Sequence, residues 1–224
     1  MKRHLCRAAL AVFLMPLTAA AADVNVPRLN GNVTLDGRLE EPMWRMAQRL
    51  PHTALTRWVA DTYEQDPSVF HLRFFHDGRT LYVALVSYDR YVEADAAAEN
   101  SDGLYSFSVA TRAGKLQHYR LRWSANPPVA GGEMLDPGKW GARLRGPYAD
   151  TTRPGGGYVF EFAIPLAAIG WKPGDTVPVN IIVHDHDGKP SKPFTTAGAE
   201  FARFAWGSLD NDNRASYRSL KLAP

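Results

Sequence analysis

The chain has 224 residues, with 26 Lys and Arg against 23 Asp and Glu, 45% hydrophobic residues and a single cysteine. Near-balanced charge without a basic run leaves nucleic acid no electrostatic footprint, and one thiol excludes a disulfide framework. The length suits one domain with a sizeable core.

Residues 1–22 read as a secretory signal peptide. Lys2, Arg3 and Arg7 precede an apolar stretch from Ala8 to Leu17 and the small-residue run Ala19 to Ala22, with cleavage expected near Ala22. The apolar core is shorter than the about 20 residues a membrane helix needs, and no later stretch approaches that length, so no membrane span is expected. Cys6 lies inside the leader and away from the cut, which removes both a lipobox and any disulfide from the mature chain. Setting aside the three leader cations leaves 23 basic against 23 acidic residues, so the basic pI belongs to the leader. A single mature domain, residues 23–224, in the periplasm or secreted, is the expectation.

Helical signal is scarce and sits early. Glu40 to Leu50 predicts a short helical segment, with Pro42 in the first turn and Met43, Ala47 and Leu50 on one apolar stripe. Period-two alternation follows. Phe70, Leu72 and Phe74 oppose His71, Arg73 and Phe75, and Leu81, Val83 and Leu85 resume after Asp77-Gly78, which predicts a hairpin from Val69 to Tyr88 with a type I′ turn.

A second pair runs from Leu104 to Thr111 and from Lys115 to Trp123 across Arg112-Ala113-Gly114. Asn126 to Pro154 is rich in Gly and Pro and reads as a long loop, and Lys189 to Ala199 as another. Between and after them come strands at Tyr158 to Ile164, Val177 to His184, Phe201 to Trp206 and Ser216 to Leu222, with a helical turn at Leu166 to Ile169 ended by Gly170. Many short strands without long helices predict an all-β chain, an antiparallel β-sandwich of jelly-roll-like form.

Three segments in one order resemble the family 9 carbohydrate-binding modules. Leu35-Asp36-Gly37 with Glu40, Glu41 and Trp44 matches the opening element; Leu81-Tyr82-Val83-Ala84 with Asp89 matches a strand. Gly157-Tyr158, Glu161 and Ala163-Ile164-Pro165, then Asn180 and Asp185, match the third. The resemblance implies noncatalytic binding of a saccharide or a similar hydroxyl-rich ligand, held by aromatic faces and oriented hydrogen bonds. It also implies the company of a carbohydrate-active enzyme or an envelope protein partner.

Position by position, the polar contacts thin out. The family's first aromatic clamp falls beside Glu99, its acid on Tyr105, its amide on Ile182, and its second clamp among Asp210 to Asn213. Its arginine falls on Arg120. The ligand-binding expectation is therefore Arg120 as hydrogen-bond donor, with Trp123, Trp140 and Trp206 supplying rings. Trp58 and Tyr148 are further aromatics for such a platform, and Trp206 also fits a framework Trp.

Other chemistry is carried by shorter signals. Asp185 and Asp187, and Asp210 and Asp212, concentrate oxygen ligands of the type a structural calcium takes, although Asx-rich turns arise for backbone reasons alone. His184 and His186 form half of a transition-metal set. A haem b electron-transfer domain is the alternative function, on an axial Met134 with Lys139 or His118, as the related cytochrome-type sandwiches imply. Nucleophilic motifs are missing, and Glu161 has no nameable carboxylate partner for glycoside hydrolysis, so no enzyme is expected.

Overall fold

The computed structural model describes residues 23–59, 69–88, 103–122, 140–144, 157–187 and 200–224. Within them two sheets pack face to face. The five-stranded sheet orders β2 (Gln48–Pro51), β4 (Val69–His76), β5 (Thr80–Tyr88), β9 (Tyr158–Pro165) and β8 (Trp140–Leu144), every neighbour antiparallel. The seven-stranded sheet centres on β10 (Thr176–Asp187). One edge of β10 takes β6 (Gly103–Ala110), which pairs in turn with β7 (Leu116–Arg122).

The other edge of β10 is shared end to end. Thr176 to Val179 pair with β12 (Arg218–Leu222), and Ile181 to Asp187 with β11 (Glu200–Trp206). The sheet is completed by β1 (Val24–Val26), parallel to β12, and β3 (Thr56–Val59) beside β11. The all-β sandwich expected from alternation is therefore the fold.

Alternation fixes which side chains meet. Phe70, Leu72, Phe74, Val83, Phe160 and Phe162 face Phe107, Val109, Val179, Ile181, Phe204 and Trp206 in one buried core. The two layers lock through edge-on ring pairs, Phe70 on Phe204 at 4.9 Å and Phe107 on Phe162 at 5.5 Å. Burying each such side chain contributes about 1.5–3 kcal/mol, which a domain without a disulfide relies on.

Four local expectations are corrected. The helix α1 spans only Pro42–Met46: Ala47 takes an extended conformation, and Gln48 to Pro51 pair with β4 instead. Leu50 is thus a strand residue opposite Leu72 in the core, because sheet pairing and the following Pro51 outweigh the helical spacing. The β4–β5 connection is the three-residue loop Asp77-Gly78-Arg79, in which Asp77 Oδ1 accepts the N–H groups of Arg79 and Thr80, with positive φ at Gly78 alone, not a type I′ turn. The Asn126–Pro154 tract contains a strand, β8. The short edge strands β1, β2 and β3 gave too little alternation to be read.

A second, smaller apolar layer lies outside the five-stranded sheet. Met43 and Trp44 of α1 pack on Phe75 and Ala84, with Leu29, Val33, Leu39 and Tyr82 around them. Trp44 meets Phe75 edge-on at 4.8 Å, and Arg73 Nη1 donates to the Trp44 carbonyl at 2.8 Å. Residues 27–47 therefore form a strap across the outer face of that sheet. At Leu166–Ile169 the helical turn α2 ends as expected, with Gly170 at φ +75.

Candidate functional site

Strand β7 carries the best-placed predicted contact. Tyr119 points into the core, so His118 and Arg120 on either side of it lie on the outer face of the seven-stranded sheet. Arg120 is partly exposed there. The neighbouring strands put Ser108 opposite His118, and Asn180 opposite Ser108, in the same row.

This row is a connected polar network. Ser106 and Ser108 hydroxyls lie 2.6 Å apart; Ser108 Oγ is 2.7 Å from His118 Nδ1 and donates to Asn211 Oδ1 at 3.0 Å. A hydroxyl has one proton, so with it given to Asn211 both Ser106 and His118 Nδ1 must donate to Ser108 Oγ. That turns the Nε2 edge of His118 away from the network. Sequence reading offered His118 only as a haem ligand and missed this role. Its signal was the Ser108 and His118 alternation on facing strands.

Asn180 is the hub. It stands between the β10 residues paired with β12 and those paired with β11, where no ladder partner is available. Its amide replaces that partner: Nδ2 donates to Ser208 O at 2.8 Å and to Asn211 Oδ1 at 2.9 Å, and Oδ1 accepts Ser208 N–H at 3.0 Å. Gly207 must be glycine here, since at φ +134 a Cβ would fall 2.2 Å from Asn180 Oδ1. Tyr217 Oη closes the loop by donating to the Asn211 carbonyl at 2.6 Å.

The aspartates expected to hold calcium are divided by this geometry. Asp210 and Asp212 belong to the loop beside Asn180, and their oxygens serve its turns: Asp210 Oδ1 accepts Asp212 N–H, and the Asp212 carbonyl accepts Arg214 N–H. Asp185 is buried near the far end of β10, and Asp187 is the last residue of that strand. Asp185 lies five residue steps along the strand from Asn180, roughly 17 Å. Among the described residues no group of three or more His, Cys, Asp or Glu gathers for a metal.

Of the predicted ring-bearing residues, Trp206 and Trp140 belong to strands of different sheets. Trp206 is 1% exposed in the core, where it presents no ring face to a ligand; the ligand-binding expectation for it is corrected to a framework role. Trp140 stands in β8 opposite Phe162, in the other sheet from Arg120. Trp123, Tyr148, Met134 and Lys139 lie outside the described residues, so of the haem set only His118 is placed, with its Nδ1 on Ser108.

A second buried polar locus was only half legible. Glu161 sits on the outer side of β9, fully enclosed beneath the strap, and its Oε2 accepts the N–H groups of Asp36 at 2.9 Å and Gly37 at 2.5 Å. Burial pushes its carboxyl up to about 7; the two N–H groups oppose that rise, and the negative charges of Glu41 and Asp36 add to it. Glu41 and Asp36 are thus the acids whose charges act on Glu161. Glu161 has no exposed surface in this arrangement.

No protein-family model matches the chain, and no curated protein sequence matches it. Two solved structures share its architecture. A family 9 carbohydrate-binding module from Caldicellulosiruptor kristjanssonii, in complex with cellotriose, aligns at a TM-score of 0.54 with 16% identity, covering 89% of this chain and 93% of that one. A structure of such a module from the same organism in complex with glucose aligns at 0.52 with 17% identity, covering 88% and 95%. The chain has the fold of the family 9 carbohydrate-binding modules.

Proposed function

We propose that this chain is a noncatalytic saccharide-binding protein of the cell envelope. The observation that carries the reading is the fold shared with modules whose structures hold cellotriose and glucose. The polar face of β7 supports it: Arg120 supplies hydrogen-bond donors, and the Nε2 edge of His118, two residues along the same strand, lies outside the Ser108 network. Trp123 and Trp140 remain the proposed sources of a stacking ring.

Residues 1–22 act as a signal peptide and residues 23–224 as the mature domain, exported to the periplasm or beyond. A carbohydrate-active enzyme or another envelope protein is the proposed companion. Isothermal titration of the mature domain with cello- and xylo-oligosaccharides tests the central claim. Binding in the micromolar to millimolar range, weakened by Arg120→Ala with the unfolding transition unchanged, is the expected result; no heat at millimolar ligand sinks it.

A further inference from the structure

We propose that Glu161 holds a proton in the closed molecule and acts as a pH-released latch on residues 34–37 of the strap. The argument begins with hydrogen-bond accounting. Glu161 Oε2 accepts two backbone N–H groups of the strap, and Glu41 Oε1 accepts a third, from Thr34 at 2.8 Å. Each carboxyl then has one oxygen left, Glu161 Oε1 and Glu41 Oε2, and both are buried with no hydrogen-bond partner.

Ionised carboxylates only accept, so a buried carboxyl oxygen without a donor is a polar deficit, and a proton held by Glu161 lessens it by removing the charge that burial penalises. A cation would do the same, but it needs six to eight oxygens if calcium, and no metal-holding group occurs among the described residues. The proton is the smaller and sufficient answer.

The charges around Glu161 favour the neutral acid. From the strap it faces Glu41 and Asp36, and Asp36 is drawn to Arg38 at 3.6 Å. Along its row in the sheet the neighbours are Ala84 and Gly141, neither charged. Arg143 of β8 stands opposite Val159, two residues along β9 from Glu161. Tyr82 of β5, opposite Ala163, donates its hydroxyl to Asp77. Arg73 is one strand further, and its guanidinium serves the Trp44 carbonyl and His71. No described cation on the sheet is committed to Glu161.

The sign follows from where the proton is held more tightly. The carboxyl titrates about 7 in the closed strap and at its ordinary 4.5 when released, so closure weakens as pH rises through that interval and levels off above it. Between pH 5 and 8.5 those two values give a roughly seventyfold increase in the opening equilibrium. Opening lifts the strap from Phe75, Ala84 and Tyr82, and with it Met43 and Trp44.

Hydrogen exchange of the mature protein, corrected for intrinsic rates and followed by mass spectrometry on peptides covering residues 28–47, tests this. Protection of the Asp36 and Gly37 amides is expected to fall tens of fold from pH 5 to 8.5 in the wild type. In Glu161→Gln, whose carbonyl keeps both N–H contacts and whose amide supplies the missing donor, it is expected to stay level. A flat wild-type profile, or an equal slope in the variant, overturns the proposal.

If Glu161→Gln does not fold, Glu41→Gln decides. Removing the like charge is expected to lower the pH at which protection is lost, and an unmoved midpoint counts against the latch. Repeating the series with EDTA and with added calcium separates the remaining source: protection that requires calcium at high pH also overturns it.

Discussion

Replacing Asn180 tests whether one side chain holds the junction of β10, β11 and β12 together. Asn180 is fully buried and makes three hydrogen bonds, two to the Ser208 backbone and one to Asn211. Each such bond contributes about 1 kcal/mol net, and truncation also strands the Ser208 N–H and carbonyl, so Asn180→Ala is expected to cost about 2–4 kcal/mol.

Asn180→Asp keeps the shape and reverses one function. Its second oxygen would face the Ser208 carbonyl and Asn211 Oδ1, two acceptors, inside a site without exposed surface. At pH 8 it is therefore expected to cost more than Asn180→Ala, since an unpaired buried charge is added to the lost donors. Acidification restores one O–H donor, so the gap between the two variants is expected to close towards pH 5. Urea unfolding at both pH values, with m-values checked for equality, gives the four numbers. If Asn180→Asp at pH 8 lies within about 1 kcal/mol of the wild type, the hub assignment is wrong.

Substitutions at two further positions, Trp44 in the strap and His76 in β4 beneath it, extend the tests. Trp44→Ala is expected to cost about 3–5 kcal/mol by urea unfolding while leaving saccharide titration unchanged, because Trp44 packs outside the sheet opposite to Arg120. Trp44→Phe should cost clearly less, since it keeps a ring against Phe75 while removing a buried indole N–H that has no hydrogen-bond partner; equal losses would count against that account. At His76, burial and then the Arg28 charge hold the imidazole below its ordinary range. The neutral ring is therefore favoured, and its stabilisation is lost as pH falls below 6.5. The stability difference between wild type and His76→Gln should accordingly shrink from pH 7.5 to pH 5, and a constant difference would exclude the mechanism.

The long central strands were legible because burial on one face writes a period of two into the sequence. Phe70, Leu72 and Phe74 in β4 and Phe160 and Phe162 in β9 carry that period, and both pairs of neighbours lie in the core. Short edge strands write almost nothing. Gln48 to Pro51 contributes one core residue, Leu50, and its helical spacing from Met43 and Ala47 is coincidental once pairing with β4 decides the conformation.

The polar loci were harder for a different reason. Glu161 and its partners Asp36 and Gly37 are separated by about 125 positions in the chain, and nothing local reveals that the carboxyl is a clasp for a distant backbone. Asn180 likewise looks like any strand amide until the shared edge of β10 is known. For the ligand aromatics the limit was exposure: Trp206 has the right residue type, but alternation along β11 puts it with Phe204 on the core side.

The two outer faces of the sandwich now separate by chemistry. On the five-stranded sheet the strap occupies the face with apolar cover and closes it through Glu161, so a hydroxyl-rich ligand finds no polar surface there without opening it. On the seven-stranded sheet the centre of the face is also closed to solvent, with Ser106, Ser108, Asn180 and Ile182 all buried. Beyond β6, outward polarity that is partly accessible is carried by His118 and Arg120 of β7. A saccharide bound here would therefore take its hydrogen bonds from the β7 side of the sheet and not from the β10 amide position, where Ile182 has neither donor nor acceptor. The buried serines and asparagines then act one step back, by fixing the strand and ring that present those groups.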